Sequence, residues 1–461
     1  YNLPHLLFSF SELKNKLLLN RSVCLPQPIF YNFALFRNRF LEKKLQKALK
    51  WDKGTGCKVP KLDPYSDDMA WSYKKLGPLK CKGQDWVKCY VSTKLVDHTL
   101  LRNTIGFRPV SPAKPLDDHI NVMVLAFDST PRSGFIRLMP ESWKVINEEL
   151  KNAVAIGMLP LYFRYATAYI EDMPLDNTFT FRFNGFKKQP TDHYYRAFRN
   201  ANKRLFKGWN FCYGDTPQFK MMMNLTEQFL ELEGRRFIFT FIGDISHDNF
   251  NYIQYADGDL ATFLRHLIKR TEDTLIIVMG DHGPRYGMSK RHSLRGKLDE
   301  RLPLLAIRLP DRLTRARPDA LSALQANSRV LTTAHDLHAT ILDAVGLRKH
   351  WNPYKVVGAD LRRGLSWLEP IPNSRSCSEA GIETHWCTCL VWQNVSESDP
   401  MYKRANIEMY FCIPLNHFSS IILRLQIESS PGGAVYEASL TYNVQDDKFI
   451  VQSRDISRVN A

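Results

Sequence analysis

Three apolar runs of the sequence each end in a carboxylate, and two of them also carry a histidine. Asp128 follows "VMVLAF", Asp244 follows "FIFTFIG" with His247 three residues later, and Asp281 and His282 follow "LIIVMG". Carboxylates that are gathered together need a counter-charge, and carboxylate oxygens with imidazole nitrogens are ligands for zinc, manganese, calcium or magnesium. The pattern therefore indicates a site for one or two divalent cations, and two close cations would suit phosphoryl or sulfuryl transfer.

A simpler interpretation exists for each of these positions. An Asp that follows a strand is often a helix cap or a turn former, and for Asp128 taken alone that interpretation suffices. Asp281 and His282 stand between two glycines, where a cap explains less. Because strand-end carboxylates recur and two of them have a histidine close by, the metal site is the favoured hypothesis.

The elements that must position these residues are buried strands. Between residues 120 and 350, continuous apolar runs alternate with segments whose pattern predicts amphipathic helices. This alternation is typical of an α/β fold with a mostly parallel sheet flanked by helices. If the strands are parallel, their carboxyl ends share one edge of the sheet, which is where open α/β sheets bind ligands.

The text on either side of this core has a different character. Residues 1–119 predict an irregular Cys-containing N-terminal module. Residues 351–461 predict a Cys-containing C-terminal region, with antiparallel strands at the edge of the main sheet or in a small subdomain. The sequence therefore predicts an α/β core, 120–350, between two Cys-containing flanks.

The chain of 461 residues carries a formal net charge of +16. This charge could attract nucleic acid, a membrane surface, an anionic glycan or a small acidic substrate. The basic residues are spread along the chain and form no block of the kind that marks a nucleic-acid-binding tail. We therefore expect an anionic small molecule or glycan as partner and no nucleic acid.

Cysteines are concentrated in the two flanks. The nine are Cys24, Cys57, Cys81, Cys89, Cys212, Cys377, Cys387, Cys389 and Cys412. This distribution favours disulfides in an oxidising compartment, with a zinc site at Cys387 and Cys389 as the alternative. Sequons at Asn20, Asn224 and Asn394 agree with a secretory route. We expect an extracellular or lumenal protein. The sequence starts at Tyr1 without a signal-like segment, so we expect the true N-terminus, with any signal peptide or membrane anchor, to lie upstream.

Several motifs resemble one family. The segments "GDHGPRYG", "GKLDERLPLLAI" and "TTAHDLHATILDAVGL" look like the alkaline-phosphatase and sulfatase superfamily. More narrowly, "GFKKQPTDHYYR", "FTFIGDISHDNFNYIQYADGDL" and "RSCSEAGIETHWCTC" resemble its sulfatase-like "domain of unknown function 229" family. The resemblance runs from about Cys57 to the end and implies a metal-binding hydrolase of phosphate or sulfate esters.

The resemblance also implies roles for individual residues. Asp128, Asp281 and His282 match the ligands of one metal site, and Asp244 and His247 match the second, where the family usually carries Glu in place of Asp244. Two cations downstream of the Asp-His-Gly turn match positions that could meet an anionic ester, and a solvated turn is the alternative for them. These two substrate-binding candidates are Lys297 and Arg301.

One departure from the resemblance concerns catalysis. The superfamily carries a Thr, Ser or Cys nucleophile on a helix N-terminus some dozens of residues after the first Asp, and the segment near 157–162 leaves no room for that helix. We interpret Thr178 as a look-alike, and Ser129 and Thr130 as ordinary hydroxyl residues. The expectation is a chain without a catalytic nucleophile. It is then either a shortened form of a hydrolase or a pseudoenzyme that binds a polyanion such as a sulfated glycan.

Overall fold

The computed structural model describes only some residues of the chain, and every helix and strand named below lies among them. These residues are 63–65, 75–80, 90–91, 94–95, 120–150, 153–154, 165–173, 178–180, 185–186, 188–196, 199, 211–213, 216–270, 272–285, 294–390, 393–394, 409–412, 420–428, 435–443, 448–451 and 455–458. The segment 157–162 and Cys24, Cys57, Cys81 and Cys89 lie outside the described residues, as does the sequon at Asn20.

The helices and strands are numbered in chain order. The α-helices are α1 (Arg132–Leu138), α2 (Pro140–Lys144), α3 (Gln218–Leu230), α4 (Asp257–Arg270), α5 (Leu294–Arg301), α6 (Asp311–Ala316), α7 (Asp319–Asn327) and α8 (Ala334–Ala344). Short 3-10 helices span Phe250–Ala256, Arg348–His350 and Thr384–Trp386, and a π-helical turn spans Val145–Glu149. The strands are β1 (Tyr90–Val91), β2 (Lys94–Leu95), β3 (Asn121–Phe127), β4 (Ala153–Val154), β5 (Ala166–Glu171), β6 (His193–Tyr194), β7 (Cys212–Tyr213), β8 (Thr216–Pro217), β9 (Arg236–Ile242), β10 (Thr274–Gly280), β11 (Leu305–Arg308), β12 (Gln393–Asn394), β13 (Met409–Cys412), β14 (Ser420–Glu428), β15 (Val435–Asn443), β16 (Lys448–Ile450) and β17 (Ile456–Arg458).

The main sheet positions the candidate site. Within the described residues it has seven strands in the order β4-β11-β10-β3-β9-β5-β6. The pairs from β10 to β6 are parallel, whereas β11 runs antiparallel to both β10 and β4. The predicted α/β fold with a mostly parallel sheet flanked by helices is confirmed.

The central strands are buried on both faces, which explains why their sequences are continuously apolar. Every residue of β3 and β10 is buried. In β3, Leu125 packs in the layer formed with α1, α3 and α4, and its neighbour Val124 packs in the layer with α6, α7 and α8. Trp367 also packs in that second layer, so residues beyond 350 contribute to the core. Each fully buried aliphatic side chain of this kind stabilises the fold by roughly 1.5–3 kcal/mol.

The C-terminal strands form a second sheet of their own. Its order is β12-β13-β14-β15-β16, with β17 paired to β15, and all of its pairs are antiparallel. Of the two placements left open by the sequence, these strands therefore follow the one with a separate sheet. In the part of the chain that the structure describes, no helix has the length and apolar character needed to span a bilayer.

Candidate metal centre at the carboxyl edge of the sheet

The parallel register of β3 and β10 brings three predicted ligands together. Phe127 pairs with Gly280 at the last level of the two strands, so Asp128 and Asp281 leave the sheet side by side. Potential ligand atoms of Asp128, Asp281 and His282 all lie within 4.8 Å of one another. Nε2 of His282 is 3.4 Å from Oδ2 of Asp281 and 3.9 Å from Oδ1 of Asp128.

Two glycines allow the turn after β10 to fit between its neighbours. A Cβ on Gly280 would lie 2.2 Å from the carbonyl oxygen of Thr130, and a Cβ on Gly283 would lie 2.2 Å from the carbonyl oxygen of Asp299. The backbone N–H of Gly283 donates to the carbonyl of Glu300 at 3.0 Å. The Gly-Asp-His-Gly turn is therefore held between the chain after β3 and the end of α5, with no room for a larger residue at either glycine.

Ser129 orients both carboxylates, a role that its sequence position did not indicate. Its φ is 54°, a left-handed conformation that is uncommon for a residue with a side chain. In this conformation its N–H donates to Oδ1 of Asp281 at 3.0 Å, and its hydroxyl donates to Oδ1 of Asp128 at 2.9 Å. Backbone strain of this kind costs about 1–3 kcal/mol and persists where surrounding structure imposes it.

A hydrogen bond also sets the orientation of the His282 ring. Nδ1 of His282 is 2.8 Å from the carbonyl oxygen of Gly283, and a carbonyl only accepts, so Nδ1 carries the proton in this bond. Nε2 then presents its lone pair toward Asp128 and Asp281. Metal-ligating histidines are held by an outer partner in this same way.

The charges of this cluster do not balance by themselves. Burial raises the pKa of Asp128 above its ordinary value, and the Asp281 carboxylate raises it further, against a lowering effect of His282. Burial raises the pKa of Asp281 to about 6. Burial also lowers the pKa of His282, and the Arg285 cation lowers it further. The carboxylates of Asp128 and Asp281 thus lie largely out of solvent beside a neutral imidazole. They lack a full positive counter-charge.

The donor set fits a divalent cation. Two carboxylates and one imidazole nitrogen converge within coordination reach, Ser129 and Gly283 outside the cluster orient Asp281 and His282, and the missing charge is positive. Calcium, magnesium and manganese suit oxygen ligands, whereas an imidazole nitrogen is a common ligand of zinc.

Asp244 and His247 follow β9, which is the neighbour of β3 in the sheet. The backbone N–H groups of Gly243 and Asp244 donate to the carboxylate of Asp172 at 2.8 and 3.3 Å. Nδ1 of His247 is 2.7 Å from Oδ1 of Asp248, and His247 is close enough to Asp128 to lower its pKa. Among the described residues, no set of three or more possible ligands with atoms within 4.8 Å of one another includes Asp244 or His247. Their role in a second metal site stays a prediction.

Lys297 and Arg301 lie on α5 and are directed toward the C-terminal sheet. Nζ of Lys297 contacts Oε2 of Glu437, and Nη2 of Arg301 is 3.7 Å from Oε1 of the same carboxylate. Their side chains are only 9% and 6% exposed, which decides against solvated turn residues. Their contact with an anionic ester stays a prediction, since the anion they meet in the structure is Glu437.

Thr178 is engaged with a buried acid at the end of β5. Its backbone N–H and its hydroxyl donate to Oε1 of Glu171 at 3.1 and 2.6 Å. Burial raises the pKa of Glu171 to about 7. Thr178 therefore serves as a hydrogen-bond donor to a carboxyl group two strands away from β3 in the sheet.

Glu171→Gln is expected to change how stability depends on pH. The unfolded Glu has a pKa of 4.5 and the folded Glu171 one of about 7, so between these values the unfolded chain releases its proton first. Stability of the wild type therefore falls as pH rises from 4.5 to 7, by about 2–3 kcal/mol. Gln keeps an acceptor for Thr178 and removes this decline. Urea unfolding midpoints from pH 4.5 to 8 measure the effect, with the exposed Asp319→Asn as control. Parallel pH profiles for wild type and Glu171→Gln would contradict the prediction.

Four of the described cysteines are disulfide-bonded. Cys377 is bonded to Cys387, with their Cα atoms 6.0 Å apart, and Cys212 and Cys389 are also disulfide-bonded. Sγ of Cys389 is 3.9 Å from Sγ of Cys377. The predicted use of cysteines in disulfides is thus confirmed for the bonded pair Cys377–Cys387. The sulfur atoms of Cys377, Cys387 and Cys389 also lie within 4.8 Å of one another, but zinc binds thiolates and these sulfurs are in disulfides, which argues against the zinc alternative.

The fold and the site define a mixed α/β protein with a candidate metal centre at the carboxyl ends of parallel strands. Residues 163–409, more than half of the chain, match the family described as "Protein of unknown function (DUF229)". The chain belongs to this family. The matched part contains Asp244, His247, Asp281 and His282, and Asp128 precedes it. No curated protein matches the sequence.

Several solved structures are similar to this chain at low sequence identity. A protein in the alkaline phosphatase superfamily from Vibrio parahaemolyticus has 13% identity and a TM-score of 0.36, covering 74% of this chain and 84% of its own. A lipoteichoic acid synthase from Listeria monocytogenes has 12% identity and a TM-score of 0.31, covering 71% and 88%. A phosphonate monoester hydrolase of Agrobacterium radiobacter has 11% identity and a TM-score of 0.31, covering 71% and 90%.

Proposed function

We propose that this protein binds a divalent cation through Asp128, Asp281 and His282 and uses the site to recognise or hydrolyse an anionic phosphate or sulfate ester. The observation that carries the proposal is the convergence of these three ligands within 4.8 Å at the carboxyl edge of the sheet. When bound, a divalent cation stabilises developing negative charge on an ester and lowers the pKa of a bound water.

The chain's own residues prepare this site before any ligand arrives. Ser129 and the N–H of His282 both donate to Oδ1 of Asp281, at 3.0 and 2.7 Å, which leaves Oδ2 facing Nε2 of His282. Arg285, which is exposed and lies three residues after His282, lowers the pKa of Asp281 and therefore stands within electrostatic reach of the cluster. Among the described residues, Arg285 is thus an exposed cation placed to meet an anionic group that approaches the site from solvent.

A second candidate is a non-catalytic protein that binds a polyanion such as a sulfated glycan. The hydroxyls near the strand ends already donate to acceptors of the chain itself: Ser129 to Asp128 Oδ1, Thr130 to the Asp128 carbonyl at 3.0 Å, and Thr178 to Glu171. Ser129 and Thr130 are also buried. The burial of Ser129 and Thr130 supports their interpretation as ordinary hydroxyl residues, and the net charge of +16 supports attraction of a polyanion.

An extracellular or secretory-pathway location is part of the proposal. The support comes from the bond between Cys377 and Cys387, because structural disulfides persist in oxidising compartments. The sequon Asn224 lies exposed on α3, where a glycan would be accessible to solvent.

The two candidates are separated by one set of measurements on the purified full chain. We expect about one equivalent or more of zinc or manganese by elemental analysis, and metal-dependent binding of a sulfated oligosaccharide by calorimetry. Turnover of aryl phosphate and aryl sulfate esters then decides between them. Metal-dependent turnover assigns a hydrolase, whereas metal and polyanion binding without turnover assigns the non-catalytic protein. A wild type that binds no divalent cation defeats the metal proposal for both.

A further inference from the structure

A buried charge cluster joins α5 to the C-terminal sheet. Glu437 on β15 has a side chain that is 1% exposed, and three cations surround its carboxylate. Nζ of Lys297 contacts Oε2, and Nη2 of Arg301 and Nε of Arg424 lie 3.7 and 3.5 Å from Oε1. Lys297 and Glu437 are 140 residues apart in the chain. One carboxylate thus holds together three buried cations that would otherwise repel one another.

The end of α5 that carries these cations also contacts the candidate metal turn. The carbonyl of Glu300 accepts the N–H of Gly283 at 3.0 Å, and the Asp299 carbonyl lies so close to Gly283 that a Cβ there has no space. The carboxylate of Asp299 accepts the hydroxyl of Ser133 on α1. The position of α5 therefore fixes the position of Gly283.

Gly283 in turn holds the ligand His282. Its carbonyl oxygen is 2.8 Å from Nδ1 of His282 and so determines which ring nitrogen carries the proton. A shift of α5 would move Gly283, weaken this bond and release the ring from the orientation in which Nε2 faces Asp128 and Asp281. Outer partners of metal-bound histidines typically change metal affinity 10–100-fold when they are removed.

From these contacts we infer that Glu437 is a positioning residue for the metal centre, and that the C-terminal sheet is an integral part of that centre. The inference rests on the proposed metal site. Glu437 acts through Lys297 and Arg301 on α5, through α5 on Gly283, and through Gly283 on His282. A neutral residue at 437 removes the carboxylate that these three buried cations share, which weakens the attachment of α5 to β15.

The test is Glu437→Gln in the full chain. The first readout is the zinc or manganese dissociation constant, measured by competition with a chromophoric chelator, and we expect about a tenfold rise. The second readout, made without metal, is hydrogen exchange of a peptide that spans residues 281–285. We expect faster exchange there, because the N–H of Gly283 loses its fixed acceptor on Glu300.

Asp343→Asn provides the matched control. Asp343 on α8 is also a 1%-exposed carboxylate, and it pairs with two arginines, Arg317 and Arg348. We expect it to lower stability while leaving the metal dissociation constant and the exchange of residues 281–285 unchanged. If Glu437→Gln fails to fold, Lys297→Met removes one cation and leaves two arginines on Glu437, with a smaller loss of metal affinity expected.

The outcomes separate this inference from the proposed function. Unchanged metal affinity and unchanged exchange at residues 281–285 in a folded Glu437→Gln or Lys297→Met variant would overturn the inference. Equal effects of Asp343→Asn and Glu437→Gln on both readouts would also overturn it, since the cause would then be general destabilisation. A wild type that binds no metal defeats the proposed function, whereas the exchange readout still decides whether Glu437 holds Gly283 in place.

Discussion

Asp281→Asn is expected to remove the bound divalent cation while leaving the protein folded, with metal affinity lowered by more than about 100-fold. Asn retains an oxygen that can accept the N–H groups of Ser129 and His282, so the turn keeps its hydrogen bonds. What is lost is a charged ligand oxygen, which affects metal binding more directly than the 10–100-fold typical of an outer partner. Elemental analysis after gel filtration, and competition with a chelator, measure the loss.

The same substitution is expected to stabilise the metal-free protein against unfolding. Without a cation, Asp128 and Asp281 repel each other in a buried place, and burial already raises the pKa of both. Removing one charge relieves this repulsion, so metal-free Asp281→Asn should unfold at a higher temperature than the metal-free wild type. Excess metal should stabilise the wild type by about 2.7 kcal/mol at a hundred times its dissociation constant, and the variant by less than about 0.4 kcal/mol at the same concentration.

Asp273→Asn is the control for this experiment. Asp273 precedes β10 at the other end of the strand, where it accepts from the side chain of Asn121 at 3.1 Å. It is therefore a carboxylate on the same strand, away from the carboxyl edge. Metal affinity should be unchanged in this variant. Equal metal content in wild type and Asp281→Asn, or equal losses in Asp281→Asn and Asp273→Asn, would show that the cluster is not the metal site.

The convergence of the candidate ligands could be predicted because two simple features of the sequence determine their placement. A continuous apolar run indicates a strand covered on both faces, and parallel strands gather their carboxyl ends on one edge. Asp128 and Asp281 needed no further information, since both directly follow such runs. An apolar run does not specify strand direction, however, so the antiparallel β11 could not be distinguished from its parallel neighbours.

The supporting residues were harder to predict because their partners are remote in the chain. Glu437 gives no local sign that it will meet Lys297 across 140 residues. Ser129 looks like an ordinary hydroxyl residue, since its left-handed φ and its bonds to two carboxylates arise from the tertiary structure. Asp172 gave a partial signal, because it too follows an apolar run, "RYATAYIE". Its carboxylate accepts two backbone N–H groups from the turn after β9.

Arg375→Met is expected to destabilise the fold by about 3–5 kcal/mol, the largest effect on stability that we predict. Arg375 and Asp336 are both fully buried, and the guanidinium donates two bonds to the carboxylate at 2.8 and 3.0 Å. It also donates to the carbonyls of Leu331 and Arg363, at 3.1 and 2.6 Å. Met fills the volume but leaves Asp336 as an uncompensated buried charge. Chemical denaturation of wild type and variant measures the loss.

Asp336 is the carboxylate that loses its counter-charge in Arg375→Met. Its carboxylate also accepts the N–H groups of Thr333 and Leu365, at 2.6 and 2.7 Å, so it ties the start of α8 to the segment after the main sheet. Asp336→Asn combined with Arg375→Met removes the unpaired charge, and we expect the double variant to recover part of the stability lost in Arg375→Met. Arg315→Met is the control, since Arg315 and its partner Glu272 are 64% and 67% exposed and such pairs contribute at most about 1 kcal/mol. Similar losses in Arg375→Met and Arg315→Met would mean that the buried pair does not anchor residues 363–375 to α8.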